Sequence, residues 1–196
     1  MASSTTARSK TLSTTDLALV ATFAALIAVC SIISGFNVTG IGVPFTLQMF
    51  AVFLAGAVLG AKRGFLAVLL YLAVGTAGVP IFAEGHGGPA TWAGVTGGYL
   101  LAFPIAAFLV GLVASRVART NPASFTIAVS IAAAVVTVAV VGTLGTIGMA
   151  LKLDVSLTAA WAFATPFFVA DIIKGVLAAI VAAAVHRAFP QLVAKR

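Results

Sequence analysis

Long apolar runs, separated by short polar or Gly/Pro breaks, organise this chain. They cover about residues 17–34, 44–60, 64–79, 99–114, 123–151 and 157–185. A helix of about 20 apolar residues crosses a hydrocarbon core of ~30 Å, so runs of this size suit membrane-crossing helices with some tilt. The expected fold is an all-α integral membrane protein: a single bundle of six transmembrane helices within 16–188, a disordered cytoplasmic tail at 1–15 and a basic cytoplasmic tail at 189–196. Arg8 and Lys10 ahead of the first run imitate a signal peptide. That run exceeds the usual apolar stretch of about 7 to 15 residues and lacks a cleavage site, so it reads as the first membrane helix.

The polar and small positions inside the runs carry the next layer of information. Ala21 and Ala25, and again Ala24 and Ala28, have the four-residue spacing that lets another helix backbone approach closely. Gln48 is the one strongly polar side chain of the second run, and its amide suits either a ligand contact or a bridge between helices. Between the third and fourth runs, Pro80 to Trp92 with its glycines forbids a regular helix and continues into Thr96-Gly97-Gly98-Tyr99. Two readings stand for this stretch: a mobile lid over a pocket, with Glu84, Trp92 and Tyr99 as contacts, or a loop anchored at the headgroup level by Trp92 and Tyr99. In the fifth run Gly142, Gly145 and Gly148 share one side, which predicts a close helix contact or a local bend. The triplet Asn37-Val38-Thr39 is formally a glycosylation signal and carries no weight alone.

Composition and charge then restrict the class. The chain is 62% hydrophobic and 8% charged, against about 25% charged in a soluble domain, so it is read as a polytopic membrane protein. The formal charge of +7 follows topology rather than nucleic-acid binding. With both termini cytoplasmic, Arg8, Lys10, Lys62, Arg63, Arg116, Arg119, Arg187, Lys195 and Arg196 all fall inside and only Lys152 outside. Dropping any one run would scatter these residues across both sides. The same topology puts the Gly-rich loop outside and separates His86 from His186. No phosphate loop, metal motif or cluster of polar groups at one depth is present, so neither catalysis, a cofactor nor a metal is expected. Cys30, the sole cysteine, excludes an internal disulfide.

Asp171 and Lys174 stand out against this background. They lie three residues apart in the last apolar run and therefore on one helical face. Ionisable groups at membrane depth face a bundle interior and mark a site or pathway by default. Asp171 can accept from N–H groups and Lys174 can donate to an oxygen, with Trp161, Phe163, Phe167 and Phe168 available to cover an apolar body. Two other readings of the pair are a solitary proton-coupled carrier with Asp171 as protonation site, and a structural membrane subunit without a ligand.

Four short segments, in order, resemble the BioY family of biotin-transport proteins: Val43-Pro-Phe-Thr-Leu-Gln48, Tyr71-Leu with Gly78-Val-Pro-Ile-Phe-Ala83, Thr96-Gly-Gly-Tyr-Leu100, and Asp171-Ile-Ile-Lys174. The resemblance implies a six-helix, biotin-binding S component of an energy-coupling-factor (ECF) transporter in the cell membrane, working with a transmembrane T component and two ATPase subunits. It also implies that Asp171 and Lys174 meet the ureido end of biotin and that Ala21 and Ala25 dock the T component. No arginine is present in the outer loop for the biotin carboxylate, which leaves Tyr99, His86 or backbone N–H groups to hold it.

Overall fold

The computed structural model describes residues 13–33, 43–118 and 121–189. The expected tails, apart from 13–15 and Phe189, lie outside the described residues, as do Asn37-Val38-Thr39 and Arg119. The elements in chain order are α1 (Thr14–Ile32), α2 (Gln48–Leu59), α3 (Ala61–Thr76), α4 (Gly97–Arg116), α5 (Pro122–Val136), α6 (Thr143–Leu153) and α7 (Leu157–Ala188). A π-helical turn, Thr137–Gly142, joins α5 to α6 without a break, so Pro122–Leu153 is one rod of 32 residues and the described residues form six rods. Four of these, α1, α4, α5–α6 and α7, are each long and apolar enough to cross a bilayer alone.

The exception that shapes the molecule is α2. It has only 12 residues, about 18 Å of rise, and every residue except Phe50 is buried. A helix apolar on all sides belongs inside a bundle, and α2 packs on α1, α3, α4 and α7. Gly56 lies against the Ala107 carbonyl of α4, and Gly64 of α3 against Gly56, so backbones meet where a methyl group would collide. The run expected at 44–60 is therefore shorter as a helix. Pro44 biases Val43 toward extended backbone, and Thr46 Oγ1 accepts the Gln48 N–H at 3.3 Å, so the helix starts at Gln48. At the other end Gly60, with φ 81°, makes the turn into α3, whose first residues include Lys62 and Arg63.

The α2–α3 junction marks the basic end of the bundle. Ser13 caps α1 in a reciprocal capping box with Asp16, and Asp16 Oδ1 pairs with Arg63 at 2.6 Å. His186 Nε2 lies 3.3 Å from the Val58 carbonyl, which brings the end of α7 to the same level. At the opposite end the three spaced glycines do what their shared side predicts. Gly142 meets the Phe168 ring, Gly145 the Tyr99 ring and Gly148 the backbone of Gly98, and the π turn ends at the first of them.

Candidate functional site

Because α2 stops short and 43–47 is not helical, space opens between α2, α4 and α7 beneath the segment that links α3 to α4. The resulting cavity holds about 370 Å³, within the range of small-molecule sites. Its inner wall comprises Gln48 and Met49 from α2, Tyr99, Leu100 and Phe103 from α4, and Phe167, Asp171 and Lys174 from α7. Val43, Pro44 and Thr46 form one side. Ala83, Glu84, His86, Ala90 and Val95 belong to the cover.

Asp171 and Lys174 form an ion pair of 2.7 Å on this wall, with side chains 11% and 14% exposed. Opposite charges at that distance cancel most of each other's field, so the wall is polar while its net charge stays near zero. Gln48 is the bridge and the cavity residue at once: its Nε2 donates to the Tyr71 hydroxyl at 2.9 Å while the side chain lines the cavity. Tyr99 is 8% exposed, and its hydroxyl has no hydrogen-bond partner among the described residues. The cavity thus gathers Asp171, Lys174, Gln48, Tyr99 and Glu84 from positions spread over most of the chain.

The cover is a built structure rather than slack chain. Two short 3₁₀ turns, Ala83–Gly85 and Pro89–Ala93, are tied back to α3. Gly88 N–H donates to the Gly75 carbonyl at 2.7 Å, and Trp92 Nε1 donates to Thr76 Oγ1 at 2.8 Å. Phe82 is buried in the notch that Gly75 leaves open and meets Tyr71 edge-on. Several glycines there serve turns and close contacts rather than free chain. Trp92 is absent from the cavity lining, because its N–H is committed to Thr76. Glu84 sits on the rim, exposed, with left-handed backbone at φ 59°.

The aromatic wall differs from expectation too. Of the four aromatics suggested on α7 only Phe167 lines the cavity, stacked on Phe45 at 4.2 Å. Trp161 and Phe168 pair with each other at 5.2 Å, and Phe163 is exposed on the outer face. Phe82, Phe103, Met49 and Val43 supply the missing apolar surface. Their signal in the sequence is slight: Met49 and Phe103 sit in apolar runs that read as ordinary core, and Val43 and Phe82 entered only as parts of family-like segments. Ala21 and Ala25 are exposed on the outer face of α1, whereas Ala24 is buried against the bundle.

Comparison with known proteins bears on this arrangement. The sequence matches the BioY family over residues 4–191. It is 33% identical over 186 residues to a protein named biotin transporter BioY from Rhizobium etli, covering 94% of this chain and 100% of the relative. A biotin transporter BioY of Rhodobacter capsulatus is 36% identical over 190 residues, covering 92% and 98%. Among solved structures, the S-component for biotin from an ECF-type ABC transporter superposes with a TM-score of 0.81 at 26% identity, covering 88% of this chain and 91% of that one.

Proposed function

The chain belongs to the BioY family, and on that premise we propose that it is the substrate-binding membrane component of a biotin uptake transporter. It captures biotin from outside the cell and relies on a partner ATPase module for transport. The observation that carries this reading is the buried Asp171–Lys174 pair on the wall of an otherwise largely apolar, covered cavity. A ureido ring presents two N–H donors and one carbonyl acceptor, is uncharged and is expensive to bury unless each group is matched. Asp171 accepts from an N–H, Lys174 donates to the carbonyl, and the apolar walls take the rest of the bicycle. No cation other than Lys174 lines the cavity among the described residues, so the carboxylate tail extends toward the cover and is met by His86 and Tyr99 or by backbone N–H groups. The family is one of transporters and not of enzymes.

The described basic residues at the α2–α3 junction and at the ends of α4 and α7 support a cytoplasmic position for that end, with the cavity opening outward in the cell membrane. The exposed Ala21 and Ala25 on α1 suit close docking of a transmembrane T component, which in turn carries two ATPase subunits. The deciding experiment is equilibrium binding of radiolabelled biotin to the purified chain. Saturable binding that Asp171→Asn weakens at least tenfold supports the reading, and a folded, monodisperse wild-type chain that fails to bind biotin sinks it.

A further inference from the structure

Tyr71 lies outside the cavity lining yet holds two of the parts that form it. Its side chain is 1% exposed, on α3. Its hydroxyl accepts from Gln48 Nε2 at 2.9 Å and lies 3.2 Å from Ser31 Oγ on α1 and 3.4 Å from the Ile81 carbonyl of the cover. Phe82, the next residue along the cover, meets the Tyr71 ring at 5.5 Å and 78° and itself lines the cavity. Three helices and the cover therefore converge on one oxygen.

Proton counting gives this convergence a direction. A phenol has one proton to donate and lone pairs to accept with. With Gln48 donating into it, that proton remains for Ser31 or Ile81. Turned over, the amide would consume the phenol's proton and leave the Ile81 carbonyl without this donor. The carboxamide is planar, so fixing Nε2 on Tyr71 leaves Oε1 as the group that Gln48 offers to the cavity. We propose that Tyr71 is a positioning residue for ligand recognition, holding Gln48 so that it presents an acceptor rather than a donor. The inference rests on the proposed biotin site and refines it. Two acceptors, Asp171 and Gln48 Oε1, then match the two ureido N–H groups, and one donor, Lys174, matches the single carbonyl.

The test is a two-by-two cycle of biotin affinity on the purified full chain: wild type, Tyr71→Phe, Gln48→Ala and both together. Tyr71→Phe keeps the ring contact with Phe82 and removes only the hydroxyl. It is expected to weaken binding about tenfold with Gln48 present and less than twofold once Gln48→Ala is in place. Ser31→Ala leaves the Gln48 bond intact and is expected to change affinity less than twofold. Equal losses from Tyr71→Phe in both backgrounds would overturn the proposal, because a merely structural tyrosine has no reason to depend on Gln48. If Tyr71→Phe is not recovered folded, Gln48→Glu asks the same question, since its carboxylate takes the phenol's proton and keeps an acceptor for the ligand. Affinity within threefold of wild type supports an acceptor at this position, and a tenfold loss overturns it. A wild-type chain that does not bind biotin overturns the functional reading itself, whereas a binding wild type with an additive cycle overturns only the role of Tyr71.

Discussion

One side chain on the cavity wall is held in a state that an isolated protein would avoid. Tyr99 buries a hydroxyl that no described residue pairs with, and an unmet buried hydroxyl costs about 1–3 kcal/mol. Tyr99→Phe is therefore expected to raise the thermal midpoint of the ligand-free protein while weakening biotin about fivefold or more, because the ligand loses the donor. Calorimetry with and without biotin checks both signs, and a midpoint that falls would mean that the hydroxyl is satisfied in the free protein. The Asp171–Lys174 pair behaves differently. Removing one partner strands the other in a poorly solvated site, which typically costs about 3–5 kcal/mol, whereas removing both leaves no orphan charge. Asp171→Asn and Lys174→Met should each destabilise the fold and weaken biotin at least tenfold. The double variant should recover most of the stability and none of the binding. A double variant as unstable as the sum of the singles would show that the two charges do not act as a pair.

At the scale of elements, the decisive features are one short helix, one tied cover and one exposed strip of alanines. The strip on α1 faces away from the bundle at Ala21 and Ala25, so bulk there meets no other described residue's packing. Ala25→Trp is expected to leave biotin affinity within twofold of wild type and to abolish ATP-driven uptake and copurification with the ATPase module. Retained copurification would remove the strip from the interface. The number of rods was readable because apolar length is a one-dimensional property, and Asp171 and Lys174 were readable because charge is too costly in an apolar run to stand there without a partner or a task. The start of α2 was not. Residues 43–47 are nearly as apolar as a helix, and what keeps them out of it is local: Pro44 biasing Val43 and the Thr46 hydroxyl accepting the Gln48 N–H. The cavity follows from that missing turn, so its apolar lining was equally hidden. Glycines in the cover were read as freedom, yet Gly87 leaves room for the Val79 carbonyl, and on α3 the absent Cβ of Gly75 is a socket for Phe82, meanings visible only once the fold brings these groups together. Tyr71 entered only as part of a family-like segment, with no role attached, because a tyrosine among apolar residues is ordinary until its hydroxyl has partners.

For the whole molecule, what matters is the asymmetry of its two ends. Lys62, Arg63, Arg116 and Arg187 lie toward the end where α2 turns into α3, while the cavity and its cover lie at the other. Basic residues near membrane helices are retained on the cytoplasmic side, and in the topology proposed above the cover faces outward. The proposed orientation lets the chain take biotin from outside, and the sequence holds no phosphate-loop motif through which it would use ATP itself. Accessibility in cells tests the orientation directly. With Cys30→Ser as background, Ala90→Cys in the cover is expected to react with a membrane-impermeant maleimide in intact cells, and more slowly when biotin is present. Lys62→Cys at the α2–α3 junction is expected to react only after the membrane is permeabilised. Reaction of the junction position in intact cells would invert the bundle. Uptake measured in the same cells then separates the energy source: it should survive a protonophore while ATP is maintained and stop when ATP is depleted. A collapse with the proton gradient alone would instead make Asp171 the protonation site of a solitary carrier, and its 2.7 Å pairing with Lys174 would have to break in each cycle.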